Sequence, residues 1–247
     1  MPGASMPGVS MVDAFRLLGF QHGGWGAALL MAASVTVLLS VLGFALGAVF
    51  GGLAAAGRLR NSKILRFLAL GYCTVFRGVP DLLTIYLLYY GGSVALTSLG
   101  HSLGGSGFVG VPAFATGTLA IAIISGAYQA EVYRGAYVAI DQGQHDAACA
   151  LGLNRLQRLR QVIFPQLLRY ALPGLGNVWQ LVLKDSSLIS VIGLVELMRQ
   201  AQIAAGSTRE PFIFYIAAAL LYLAIASVTG HALYHLERKA PWRVRSA

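Results

Sequence analysis

The stretch Asp146-Ala147-Ala148-Cys149-Ala150-Leu151-Gly152 is followed, nine residues later, by Val162-Ile163-Phe164-Pro165. Ala148 and Gly152 are four apart, so on a helix they share a smooth face, with Ala147 beside it. Small side chains on such a face let a short helix sit deep in a groove of another protein. Arg155 and Arg158 follow at a spacing of three, and Pro165 is expected to stop the element. The same residues also describe an interfacial helix with a small-residue face. A second pattern is Asn177, Gln180, Lys184 and Ser187, at intervals of three, four and three, hence on one helical face. Polar side chains set in apolar sequence seek a bundle interior or a wet cavity. Lys184 in such a place attracts a carboxylate. The alternative is polar contact between helices with a snorkelling lysine. Asp185 lies about 100° round the helix from Lys184 and does not face it.

Four charged residues flank apolar runs. Arg77 and Glu131 are a candidate ion pair or gate, or simply interfacial. Asp81 and Glu196 either neutralise a cationic solute or serve helix ends. Other chemistry finds no pattern. Lys63, Lys184 and Lys239 are followed by Ile, Asp and Ala, so there is no Gly-Lys-Ser/Thr phosphate loop. His231 and His235 are four apart but lack further ligands, His101 stands alone, and no metal site is expected. Cys73 and Cys149 form no CxxC pair, and no G-x-S-x-G elbow occurs.

The elements that carry these residues follow from composition. Of 247 residues, 57% are hydrophobic and 11% charged. Soluble domains carry about 45–50% apolar and about 25% charged residues, so this chain cannot cover a globule of its size with polar surface. It reads as an integral membrane protein. The net charge of +9 then reflects Lys and Arg held on the cytoplasmic side and not nucleic-acid binding.

Five spans are expected. The first covers about 26–55 and carries Gly43, Gly47 and Gly51 at i, i+4 and i+8, a stripe that lets another helix approach closely. Arg58, Arg60, Lys63 and Arg66 follow it without an acid, which puts the N-terminus outside. The second runs from about 65 to 90, interfacial at first and broken near Gly78, with Pro80 in the next first turn. Residues 91–110, rich in Gly and Ser and free of Lys and Arg, read as an external loop. The third span is 111–130, the fourth fades from Leu172 to about Val195, and the fifth is 212–233. Residues 196–211 read as a polar loop. The three segments placed inside hold four, five and four of the 18 Lys and Arg. The organisation is an external N-terminal segment at 1–25, one transmembrane domain at 26–236 with a cytoplasmic loop at 131–169, and a basic cytoplasmic tail at 237–247.

The 146–165 pattern resembles the EAA loop of ABC-importer permeases, E-A-A-x3-G-x9-I-x-L-P, with Asp146, Val162 and Phe164 as conservative departures. Phe76-Arg77-Gly78-Val79-Pro80, Ala127-Tyr128-Gln129-Ala130-Glu131, Lys184-Asp185-Ser186-Ser187-Leu188, Arg169-Tyr170-Ala171-Leu172-Pro173-Gly174 and Gly206-Ser207-Thr208-Arg209-Glu210-Pro211-Phe212 look like the polar amino-acid branch. They are similar to permeases for histidine, arginine, lysine, ornithine and opines. The resemblance implies an all-α type I importer half in the bacterial inner membrane, taking up basic amino acids or opines by alternating access. Asp146, Ala147, Ala148, Gly152 and Pro165 would couple it to a cytoplasmic ATP-binding subunit dimer. Asn177, Gln180, Lys184 and Ser187 would line the substrate pathway. ATP and Mg would belong to that ATPase, a periplasmic solute-binding protein would deliver the solute, and a second permease, identical or homologous, would complete the pair. The competing readings are an ion-coupled secondary transporter, which needs acids buried mid-span, and a membrane-embedded enzyme, which needs a catalytic cluster. The residues show neither.

Overall fold

The structure, a computed structural model, describes residues 16–21, 23–103, 107–108 and 110–239. Residues 1–15 of the expected external segment and 240–247 of the basic tail lie outside them. Regular structure among the described residues is helical throughout. Helix α1, Gly26–Leu59, is uncharged until Arg58. It leads through a three-residue turn to α2, Lys63–Gly78. Val79 and Pro80 break the helix, and α3 follows as one run, Asp81–Ser102, with a π turn at Leu87–Gly91. Helix α4, Ala113–Val138, and the short α5, Gln142–Ala150, come next. Residues 155–185 are continuously helical: one α turn, a π run at Arg158–Ile163, then α6, Phe164–Asp185. A 3-10 turn at Ser186–Ile192 ends at Gly193, and α7, Leu197–Thr208, precedes α8, Pro211–Lys239.

The bundle is built on the contact of α1 with α4. Gly43, Gly47 and Gly51 are all buried against α4. A Cβ on Gly43 would stand 2.5 Å from Ile121 Cγ2, and one on Gly51 would stand 2.8 Å from the Gly126 carbonyl oxygen. The two backbones therefore approach as only glycine permits, and dispersion over that seam holds helices together where lipid supplies no hydrophobic drive. Leu39, Ile85, Ile121, Ile124, Val182 and Ile189 form the central core from α1, α3, α4, α6 and the 3-10 turn. A second core joins Leu29 and Ala33 to Leu197, Ala201, Phe214 and Ala218, across α1, α7 and α8.

Helices α1, α3, α4 and the Pro211–Leu233 part of α8 are long and apolar enough to cross a membrane. The fifth long helix, α6, carries Arg169, Asn177, Gln180, Lys184 and Asp185 and is not in that group. Several boundaries differ from those expected. The break after Gly78 is present, but Pro80 caps α3 from outside its first turn. The helix long and apolar enough to cross is 81–102, so most of the supposed external loop is helical. Its hydroxyls are satisfied within the helix, Ser93 Oγ donating to the Tyr89 carbonyl (2.7 Å) and Ser102 Oγ to Leu99 (2.8 Å). Polar residues so satisfied do not end a helix. Helix α4 runs eight residues past Ala130, and the fourth segment begins at Phe164 and leaves α-geometry at Ser186. The supposed polar loop at 196–211 is mostly α7, started by its own acidic cap.

Candidate functional site

Three clusters carry the singled-out residues. The first is the α5 knob. Asp141 opens α5 by accepting from the Gly143 N–H (2.7 Å). Asp146 and Ala147 face outward, whereas Ala148 is buried. Asp146 accepts from Gln142 Nε2 one turn earlier (3.3 Å). The helix ends at Gly152, which takes the left-handed conformation, φ +73°. Its N–H donates to Cys149 (2.9 Å) and the Leu153 N–H donates to Ala148 (3.1 Å), the paired bonds of a Schellman terminus. Ala148 and Gly152 thus form no common outer face. The first packs inward and the second stops the helix, because four residues after Ala148 the backbone has already left α-geometry. Pro165 is likewise not a terminator. The π run at Arg158–Ile163 widens the helix just before it, and the chain continues helically through it into α6. Three contacts strap the knob down: Gln166 Nε2 to Gln144 Oε1 (3.2 Å), Arg158 Nη1 to Cys149 Sγ, and the His145 ring against Tyr137 at 5.7 Å. Leu151, Leu156 and Leu159 are exposed beside it.

The second cluster centres on Glu131. Arg77 does meet it, Nη1 to Oε1 at 3.1 Å, while Arg58 bonds the same oxygen and Arg134 Nε reaches Oε2 at 3.2 Å. The Arg77 guanidinium also lies 5.5 Å from the centre of the Tyr128 ring. One carboxylate therefore joins α1, α2 and α4. Arg58 was not singled out in the sequence because it opens a basic block. Its signal was the buried stripe Gly43, Gly47, Gly51, Ala54, which continues at Arg58 with spacings of four, four, three and four.

The third cluster lies between α6, α7 and α8. A cavity of about 590 Å³ is lined by Gln180, Lys184, Ser187, Met198, Tyr215 and Tyr222, among others. Asn177 lines a smaller adjoining space of about 210 Å³, which it shares with Gln180 and Pro173. The expected stripe thus borders two cavities that share Gln180, although Ser187 sits on the 3-10 turn and its hydroxyl is engaged by the Lys184 carbonyl (2.7 Å). Gln180 Nε2 donates to the Ala226 carbonyl of α8 at 3.4 Å. Behind the lining residues Met198 and Tyr222, Glu196 is fully buried and caps α7. Oε1 accepts from the Arg199 N–H (2.8 Å), and Oε2 from the Met198 N–H (2.9 Å), Tyr222 Oη (2.9 Å) and Thr36 Oγ1 (3.3 Å). An acid inside the bundle was not expected from the sequence. Four donors around one carboxylate make its burial tolerable. Asp81 is half-buried at the start of α3. Among the described residues, no group of three His, Cys, Asp or Glu is placed to hold a metal.

Apolar helices around a groove bordered by Gln180 and Lys184, with a short helix projecting between α4 and α6, define a membrane transport subunit. The chain belongs to the family of binding-protein-dependent transport system inner membrane components, which it matches over residues 47–240. It is 50% identical over 229 residues to the octopine transport system permease protein OccQ of Rhizobium radiobacter, covering 93% of this chain and 97% of that one. The nopaline permease NocQ of Agrobacterium fabrum is 45% identical over 231 residues, 93% and 98% of the two chains. The histidine/lysine/arginine/ornithine permease of Escherichia coli is 36% identical over 224 residues, 91% and 98%. In three dimensions the chain is similar to a crystallised amino acid ABC transporter with histidines, at a TM-score of 0.74, 32% identity, and 87% and 95% coverage. The fold also recurs in an inward-facing methionine ABC transporter at a TM-score of 0.63.

Proposed function

We propose that this chain is the permease half of an ATP-driven importer of the inner membrane and that its solute is an opine or a basic amino acid. The observation that carries the reading is the α5 knob. It is a capped helix strapped to the ends of α4 and α6, with Asp146 and Ala147 outward and exposed leucines around it. Such a projection suits a groove on a separate ATPase subunit, which would hold ATP and Mg. Movement there reaches the groove through the continuous helical run 155–185, on which Gln180 and Lys184 sit. A second permease, identical or homologous, completes the pair, and a periplasmic binding protein supplies the solute. The N-terminus is outside, and α5 and the basic tail are cytoplasmic.

Among the described residues, Lys184 is the charged residue lining the 590 Å³ cavity. An opine carries an additional carboxylate beyond that of an amino acid, which suits this cation, and identity is higher to the octopine and nopaline permeases than to the Escherichia coli relative. In this reading Glu131 with Arg58, Arg77 and Arg134 ties α1, α2 and α4 together at the α5 end, and Glu196 and Asp81 serve helix ends.

The test replaces Ala147 by cysteine in a Cys149→Ser background and crosslinks membranes containing the whole transporter. Capture of the ATPase subunit, modulated by nucleotide, supports the docking role. Labelling of the cysteine from the external medium refutes it. Lys184→Gln should raise the uptake KM for a dicarboxylate opine about tenfold or more, one charge-assisted contact being worth ~1.5–3 kcal/mol. Uptake that survives ATP depletion but collapses with an uncoupler would return the ion-coupled alternative.

A further inference from the structure

The helix α2 packs only on one end of the bundle. Near its start, Leu65 and Ala69 lie against Gly57, whose Cβ would be 3.3 Å from that of Ala69. At its far end Arg77 meets Glu131, which also binds Arg58. The helix, 16 residues and ~24 Å long, is thus held against the α5-side halves of α1 and α4, where Ala69 and Cys73 pack with Ala54 and Ala130. Midway, Tyr72 reaches deeper, its hydroxyl donating to the Ile123 carbonyl at 2.6 Å.

The helix has three faces. Ala69 and Cys73, with half-buried Tyr72 and Phe76, meet the bundle. Ile64, Phe67, Leu68 and Val75 project outward, at 73%, 75%, 61% and 51% exposure. At 100° per residue they fall within an arc of about 100°. Lys63 and Arg66 occupy a third side, about 60° apart, next to Arg60 in the preceding turn. All three are exposed, and no acid occurs between Arg58 and Arg77.

We infer that α2 lies in the membrane interface and that Arg60, Lys63 and Arg66 bind the headgroups of anionic phospholipids. Each face has its surroundings: Ile64, Phe67, Leu68 and Val75 enter the acyl region, Ala69 and Cys73 the protein, and the three cations the phosphate layer. The arrangement of a polar cationic side above a buried apolar side is that of helices lying in the plane of a bilayer. Two observations favour lipid over an acidic protein partner. The cations border an apolar face, Ile64, Phe67, Leu68 and Val75, that the described residues leave exposed, as they leave Leu53 of α1 at 68% exposure. The anchoring interaction of this helix, Arg77 with Glu131, is already spent within the chain.

The experiment uses the full chain in nanodiscs of phosphatidylcholine with increasing phosphatidylglycerol, reading the thermal midpoint. Phosphatidylglycerol should raise the midpoint, and 0.5 M salt should remove the gain, since screening at that strength reaches only a few ångströms. Each basic contact near an anionic surface is worth a factor of about five, so Arg60→Gln/Lys63→Gln/Arg66→Gln should require about 100-fold more anionic lipid for the same shift. Its midpoint in phosphatidylcholine alone should match wild type, and Arg199→Gln/Arg209→Gln should retain the full response. Equal responses in the triple variant and wild type, or equal loss in the control, overturn the proposal. A second measurement places tryptophan at Phe67 and compares quenching by lipids brominated at different depths, after subtracting the native tryptophans. Strongest quenching by bromine near the headgroup supports the interfacial placement. Strongest quenching at the chain ends, or quenching by none, refutes it. Phosphatidylglycerol dependence appearing only after addition of the ATPase subunit would assign the cations to a protein contact and overturn the lipid assignment.

Discussion

Replacing Gly152 by alanine, asparagine and valine separates two ways in which this residue could serve the knob. If it matters because the ATPase needs a smooth surface, damage should follow side-chain volume. The structure argues for a different order. An ideal Cβ at Gly152 meets nothing within 4 Å, so there is open space around it, but φ is +73°. The left-handed region costs an ordinary L residue ~1–2 kcal/mol, less for asparagine and most for a β-branched residue. Alanine therefore shifts the balance between the terminated knob and other endings of α5 by a factor of about 5 to 30. If the ATPase grips only the terminated form, its apparent affinity falls by up to that factor. The expected order of coupling is Gly, then Asn, then Ala, then Val, although asparagine is larger than alanine. Binding of the ATPase subunit to the purified permease, together with ATP hydrolysed per solute imported, reads it out. Asparagine proving worse than alanine would refute the conformational role and restore the steric one.

Glu131→Gln removes the charge that holds Arg58, Arg77 and Arg134 at the ends of three helices. With these side chains partly solvated, a loss of ~1–3 kcal/mol is expected, seen as an apparent midpoint lower by about 2–12 °C. Adding Arg77→Ala should cost less in this background than in wild type. Glu196→Ala orphans two backbone donors and Tyr222 Oη, about 1–3 kcal/mol each, so the chain should fail to accumulate in membranes. Tyr222→Phe should cost only ~1 kcal/mol in a midpoint measurement. Gly51→Leu drives a side chain into the Gly126 carbonyl, 2.8 Å from the first added carbon, and should abolish folded chain in a size-exclusion assay. Gly52→Leu, with nothing within 4 Å, should behave as wild type in the same assay.

The helical membrane class and the α1–α4 seam were legible because both rest on local, periodic signals. A charge-free run and a glycine every fourth residue say what surrounds a helix. Boundaries were less legible where a polar residue is satisfied by something the sequence does not display. Ser93 and Ser102 bond carbonyls of their own helix, Glu131 carries three arginines from three helices, and Glu196 caps the helix it begins. Each looks like a loop residue when read alone. The smooth face drawn through Ala148 and Gly152 failed because a four-residue spacing describes a shared face only while the backbone stays helical. The stripe from Asn177 to Lys184 was readable because α6 holds its period across those residues. Its opposing wall, Tyr215 and Tyr222 on α8, was not, since nothing local links residues so far apart in the chain.

The glycine seam also fixes which parts of the molecule can travel. Side chains that interlock at carbonyl distance cannot glide past one another without first parting, so the pair formed by α1 and α4 must move as a single spar. Helix α6 joins that spar through Gly174, whose Cβ would stand 2.8 Å from Val132, so widening or narrowing of the groove falls to α8, which touches Gln180 at a long 3.4 Å. The chain is thus divided into a mast and a sail, and the knob is tied at the foot of the mast.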